Sequence, residues 1–221
     1  REALLVHASQ MSSALFTPAT DPSSLLEVLA DTRRNVVVIG PGLGRSDHAK
    51  ALVLAALQSS AHVVLDADGL TCFSDDPEVL FAAIAGREKQ VVLTPHHGEF
   101  SRIFPGIIGC KPAMARKAAS QSGATVIYKG ADTVIADIGG QAVINSTGHP
   151  NLATAGSGDV LAGIVGGFMA QGMMVFDAAC AATHIHGLAA RKFGGPGMIA
   201  EDLPDMLPRV LSDLVGIDRF F

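Results

Sequence analysis

"NVVVIGPGLGRSDHAKALVLAALQSSAHVVLDADGL", residues 35–70, carries the pattern that decides the fold. The run 35–40 is short, apolar and β-branched, the signature of a strand buried on both faces. A glycine turn at 40–44 follows it directly. Residues 46–60 then place apolar side chains at helical spacing, with Ser46 or Asp47 near the N-cap. The run 62–70 reads as a second strand passing into a loop. Strand, turn, helix and strand together are the unit of a parallel sheet, because a parallel neighbour is reached only through a crossover.

The same alternation continues outward. "DPEVLFAAIAG" (76–86) reads as a helix with Pro77 in its first turn and Gly86 at its end. "QVVLTPHHGEF" (90–100) opens as a third strand and stops at Pro95. Residues 111–123 form a helix ending at a glycine, and 124–130 a fourth strand. The pattern then changes: "DTVIAD" and "QAVINS" flank "IGG", a β-hairpin with a glycine turn. From Ser157 onward the chain reads as helices over 157–172, 176–193 and 202–215, and a further strand is expected over 3–7. The fold class is therefore α/β, a mainly parallel central sheet with helices on both faces and a β-hairpin excursion. No repeat or linker divides the chain, so 1–221 is read as a single domain.

Composition narrows the function. Hydrophobic residues make up 48% and mean hydropathy is +0.36, enough for a sizeable core. A net charge of −5, no basic run, no Trp and one Tyr argue against a nucleic-acid partner. Cys72, Cys110 and Cys180 are isolated thiols with no CxxC, which fits a reducing, cytoplasmic setting. The N-terminus lacks the long apolar run of a signal peptide. The uncharged stretch 160–176 is shorter than the ~20 residues a bilayer requires. Gly163 and Gly167 form a GxxxG spacing there, and the expected reading is a buried helix packed closely through its glycines, with no membrane partner.

In such a fold, ligands sit beyond the carboxyl ends of the strands, so the loops there carry the chemistry. "GPGLG" (40–44) is not a dinucleotide fingerprint, because Arg45 stands where a third glycine is needed. It reads either as a glycine turn open to a ligand or as an ordinary tight turn. "TPHHGE" (94–99) offers His96 as a ligand contact and Glu99 for a metal-water or phosphate role. Its plain alternative is a stopped strand followed by a helix's first turn. "HIH" (184–186) is weaker, since i and i+2 point to different sides of a helix. "KGADT" (129–133) places Lys129, Thr133 and open amides where phosphates or ribose would lie, unless Lys129 merely faces solvent. "AGSGD" (155–159) is the strongest signal. Gly156, Ser157 and Gly158 form an anion nest at a helix N-terminus, with Asp159 in the first turn. A carboxylate beside a phosphate nest suits phosphoryl transfer, with Asp159 as general base. No P-loop is present.

These motifs in this order, "GPGLG", "LDADGL", "LTPHHGE", "YKGADT" and "GHPNLATAGSGDVLAGIVGG", closely resemble the ADP/ATP-dependent NAD(P)H-hydrate dehydratases of the ribokinase-like superfamily. The resemblance runs from about Val36 to the C-terminal helices. It implies repair of the S form of hydrated NADH or NADPH, through phosphoryl transfer to the hydrate hydroxyl and loss of phosphate. Bacterial members use ADP and eukaryotic members ATP, with Mg²⁺. Carried over, Gly44, His96 and Asp159 contact the hydrate, Asp159 acts as base, and Lys129, Gly130, Ala131, Asp132, Thr133 and Gly158 hold the nucleotide. Glu99 is the candidate for the metal water shell. The partners implied are the hydrate and the nucleotide, and a homo-oligomer is expected. The family's domain begins with a further Gly- and Ala-rich segment that is not found before Arg1. The family's Asn-Pro-Gly is replaced by His149-Pro150-Asn151, which leaves that loop's conformation open. The competing readings are a vitamin-precursor kinase of the same superfamily, a nucleotide-binding protein without catalysis, and a classical NAD-dependent dehydrogenase, which the broken fingerprint opposes.

Overall fold

A computed structural model describes residues 14–88 and 90–216, together with Val6 and Ser9. The strand expected over 3–7 falls outside these residues except for Val6, which is helical. Helix α1 (Pro22–Leu29) starts at a capping box in which Asp21 accepts from the Ser24 amide. The strands β1 (Val36–Ile39), β2 (His62–Leu65), β3 (Val91–Leu93) and β4 (Thr125–Tyr128) then run parallel. They are linked through α2 (Asp47–Gln58), the short α3 (Asp68–Thr71), α4 (Pro77–Ala85), α5 (His97–Ile103) and α6 (Lys111–Ser122). Ser46 is the cap of α2, its Oγ accepting from the Ala49 amide at 3.2 Å.

The hairpin strands β5 (Val134–Ala136) and β6 (Ala142–Ile144) do not leave the sheet. They extend it as an antiparallel end, in the order β1-β2-β3-β4-β5-β6. Three helices close the chain: α7 (Ser157–Ala170), α8 (Val175–Phe193) and α9 (Asp202–Val215).

This strand order explains why helices cover both faces. Crossovers of one hand between neighbours taken in sequence stack their helices on one side of the sheet. There Val63, Leu65, Val91, Leu93, Val126 and Tyr128 meet Val53, Leu80, Phe100 and Ala118. The alternate residues Val64, Val92, Ile127 and Ile135 face the other way. They are covered by Leu161, Ala162 and Val165 of α7 and Ala178 and Ala182 of α8. The central strands β2, β3 and β4 are apolar except at His62 and Thr125, the first positions of β2 and β4, because both of their faces are buried.

The uncharged stretch forms α7 and the start of α8. Among the described residues no helix is long and apolar enough to cross a membrane. Close packing through the glycines of this helix is confined to one of them, since Gly163 and Gly167 are exposed. Gly166 is the close contact instead: a Cβ there would lie 2.6 Å from Val38 Cγ2 of β1. Gly163 and Gly167 share one side of the helix and Gly166 lies on another, so spacing within the glycine run does not say which faces the sheet.

Candidate functional site

The four parallel strands deliver Gly40, Asp66, Thr94 and Lys129 directly after their last residues. Their ends are held in step by ladder bonds that continue past the strands, from the Asp66 amide to the Ile39 carbonyl at 3.2 Å and from the Thr94 amide to the Leu65 carbonyl at 3.1 Å. Gly40 has φ +137°, and a Cβ there would run into the Asp66 carbonyl. Glycine is thus required for β1 and β2 to turn so close together.

Lys129 is the hub. Its Nζ lies 2.7 Å from Asp66 Oδ1 and 4.0 Å from Glu99 Oε2. Its side chain is only 18% exposed, so the solvent-facing alternative is excluded. Asp66 is 1% exposed, and the Thr94 hydroxyl donates to its Oδ1 at 2.6 Å. Ala67, between Asp66 and Asp68, has φ +48°, the one non-glycine residue of positive φ among those described. Such strain persists where the surroundings over-determine it, as at binding sites. Beside it, Asp68 Oδ2 accepts from the Gly44 amide at 2.9 Å, which ties the "GPGLG" turn to the "DADGL" loop.

His96 and Glu99 serve α5 in addition to any ligand. His96 is the N-cap, its Nδ1 accepting from the amides of Gly98 at 3.0 Å and Glu99 at 3.3 Å. Glu99 Oε2 accepts from the His96 amide at 2.8 Å, which completes a capping box. The imidazole remains 56% exposed. Among the described residues no group of three His, Cys, Asp or Glu is arranged to hold a metal ion. Glu99, 7% exposed, is a single carboxylate, and a magnesium ion carried on phosphates with its waters needs only one or two.

At the opening of α7 the Ser157 amide donates to the Thr154 carbonyl at 3.4 Å. Gly156 caps it at φ +83°, with no side-chain cap. The amides of Gly158 and Asp159 have no hydrogen-bond partner among the described residues. The Ser157 hydroxyl turns back to the Leu152 carbonyl at 2.7 Å and leaves the nest to the backbone. A Cβ on Gly158 would come 3.1 Å from Lys129 Nζ and 3.7 Å from Asp66 Oδ2, so the ammonium stands directly over the nest. Burial raises the Asp159 carboxyl above its ordinary range, the Asp66 charge raises it further, and Lys129 opposes both. A carboxylate moved toward neutrality is suited to take a proton.

A cavity of about 400 Å³ opens beside Lys129. Of the expected nucleotide residues, Lys129, Gly130, Ala131, Thr133 and Gly158 line it, together with Ser157 of the nest. Asp132 does not line it. Its carboxylate pairs with Lys111 Nζ at 2.7 Å, and the same ammonium lies 4.8 Å from the centre of the Tyr128 ring. Gly44, His96 and Asp159 also lie outside the lining, Gly44 and His96 in the loops after β1 and β3 and Asp159 in the first turn of α7. The Thr133 hydroxyl closes the "KGADT" turn by donating to the Gly130 carbonyl at 2.8 Å. The loop left open by the sequence is a 3-10 turn (Pro150–Leu152) that His149 caps, with Asn151 Nδ2 donating to the Gly195 carbonyl at 2.8 Å.

Sequence reading missed Asp66, Thr94 and His186. Asp66 was visible only as part of "LDADGL", where two aspartates one residue apart look alike. His186 lines the cavity at 5% exposure, while His184 is exposed, as the i, i+2 argument requires. Its Nε2 has no hydrogen-bond partner, and burial pushes its pKa down to about 4.

A family model described as NAD(P)H-hydrate dehydratase matches residues 2–209. The chain is 42% identical over 213 residues to the bifunctional NAD(P)H-hydrate repair enzyme Nnr of Moorella thermoacetica, covering 92% of this chain and 38% of that protein. It is 40% identical over 162 residues to the ADP-dependent (S)-NAD(P)H-hydrate dehydratase of Neisseria meningitidis serogroup B, covering 71% of this chain and 54% of that protein. The chain thus spans between about two fifths and one half of these relatives. Among solved structures it resembles the ADP/ATP-dependent NAD(P)H-hydrate dehydratase of Bacillus subtilis co-crystallized with ATP/Mg²⁺ and soaked with CoA, with a TM-score of 0.80 and 26% identity over 96% of this chain and 78% of that one. The fold is ribokinase-like. On its sequence match over most of its length, and with the motifs converging on one sheet edge, the chain belongs to the NAD(P)H-hydrate dehydratase family.

Proposed function

We propose that the chain dehydrates the S form of hydrated NADH or NADPH at the expense of ADP or ATP. The observation that carries this reading is the first turn of α7. One turn combines a base candidate, Asp159, with unpaired amides at Gly158 and Asp159, and Lys129 stands above it. The nucleotide occupies the cavity lined by Lys129, Gly130, Ala131 and Thr133, with its phosphates at the nest. The hydrate lies on the side of Gly44 and His96, whose imidazole is held by its cap on α5 and leaves an exposed edge to contact it. Asp159 accepts the hydroxyl proton as that oxygen attacks the terminal phosphorus. The new O–P bond forms while the bond to the leaving nucleotide breaks. Lys129 and the amides stabilise the charge on the moving phosphoryl group. The ring nitrogen then expels phosphate, a neighbouring ring proton is lost and the dihydronicotinamide double bond returns. Magnesium supplies charge neutralisation on the nucleotide phosphates, with Glu99 the carboxylate expected at its water shell.

The test is recovery of NADH absorbance from hydrated NADH and Mg²⁺, with ADP in one reaction and ATP in another. Recovery that requires a nucleotide supports the reading and names the donor. A stable phosphorylated product would point instead to a small-molecule kinase, and nucleotide binding without turnover to a binding protein.

A further inference from the structure

We propose that Asp66 is a positioning residue, which fixes the Lys129 ammonium over the first turn of α7 so that Lys129 and the Gly158 and Asp159 amides act as one anion-binding set. Asp66 does not line the cavity and cannot itself attract an anion. It is nonetheless almost fully buried, and a buried carboxylate is retained only with partners. Both of its partners act on Oδ1: the Thr94 hydroxyl at 2.6 Å fixes the carboxylate, and Lys129 Nζ at 2.7 Å is fixed by it.

Lysine is a flexible point charge with several rotatable bonds. Without a fixed partner the ammonium would turn toward Glu99, 4.0 Å away, or toward solvent. Held by Asp66 it lies against Gly158, where a side chain would block it. Gly158 and Asp66 are thus complementary: one leaves the space and the other keeps the ammonium in it. The arrangement is assembled before any anion arrives, so binding does not have to order the lysine. The Asp66 charge also supports the raised Asp159 carboxyl, so the same residue adjusts the base. The proposed function enters only in naming the anion as a nucleotide phosphate.

The test is a double-mutant cycle read by titration calorimetry with ADP, and with inorganic phosphate as a second probe. Asp66→Asn and Lys129→Met are each expected to raise Kd about 10- to 100-fold, the worth of one charge-assisted hydrogen bond. The double variant should bind no more weakly than the worse single, because Asp66 acts through Lys129. Thr94→Val keeps every charge and should raise Kd in the same direction, with its effect vanishing in the Lys129→Met background. It decides the matter should Asp66→Asn fail to fold. In turnover, Asp66→Asn should raise KM for the nucleotide and leave KM for the hydrate unchanged, a split that general loosening would not produce. Additive effects, unchanged binding in the single variants, or a wild-type chain that binds neither probe would overturn the proposal. Coupled binding in a chain that does not restore NADH would keep it and refute the proposed function instead.

Discussion

Acidification should destabilise this protein through one identifiable side chain. His186 is held neutral by burial, with a pKa of about 4 against 6.5 for an exposed histidine. Once the chain unfolds, the imidazole is free to take a proton that the folded state refuses. Stability therefore falls as pH drops below 6.5 and levels out only below about 4, the pKa in the folded protein. From pH 7 to pH 5 the linkage relation gives a loss of roughly 2 kcal/mol from this residue alone. His186→Leu removes both the titration and the unpaired Nε2. At pH 7 the variant loses the imidazole's hydrogen bond to the Ser157 backbone together with the unpaired Nε2, so its stability should stay within about 1 kcal/mol of the parent's. At pH 5 the gap should widen in its favour by roughly 2 kcal/mol. With no Trp and one Tyr, the suitable assay is urea unfolding followed by far-UV circular dichroism at each pH. The carboxylates contribute equally to both proteins, so the comparison isolates the imidazole. Parallel stability–pH curves would refute the reasoning and show that His186 is already charged in the folded protein.

Asp159→Asn should lower turnover about 10²–10⁴-fold while leaving ADP binding intact, as expected on losing a general base; steady-state rates beside calorimetry decide it. Gly158→Ala adds a methyl group against the Lys129 ammonium in a helix's first turn. The melting temperature should hold or rise slightly while KM for the nucleotide increases, so thermal unfolding and kinetics must be read together. Gly40→Ala combines a strained φ with a collision against the Asp66 carbonyl. It should cost about 3 kcal/mol or more in chemical unfolding, and a smaller loss would mean that the β1 turn can open.

Much of this molecule was legible along the chain. The apolar, β-branched runs and their capped helices identify the parallel strands, because strand burial and helix capping are set within a few residues of chain. Ser46 capping α2 and Pro77 opening α4 are of this kind. The nest at Gly156–Gly158 with Asp159 behind it was equally local, since a helix N-terminus and its first-turn carboxylate are neighbours in sequence. Lys129, Thr133 and Gly158 likewise stand in local motifs, and the structure places them around one cavity. What the sequence could not order was contact between distant segments. Gly166, not Gly163 or Gly167, meets β1 because the sheet selects one side of α7. Lys129 faces inward because Asp66, 63 residues away, waits at the end of β2. Asp66 becomes distinct from Asp68 only when one is buried on Lys129 and the other ties down Gly44. His186 acquires its depressed pKa only when the helix pair closes over it. Charge pairing and desolvation depend on distance and dielectric, and both are properties of the packed fold. The sequence alone thus determined the elements and the kinds of groups at their ends, while the tertiary structure decided which of those groups touch and what charge each one carries.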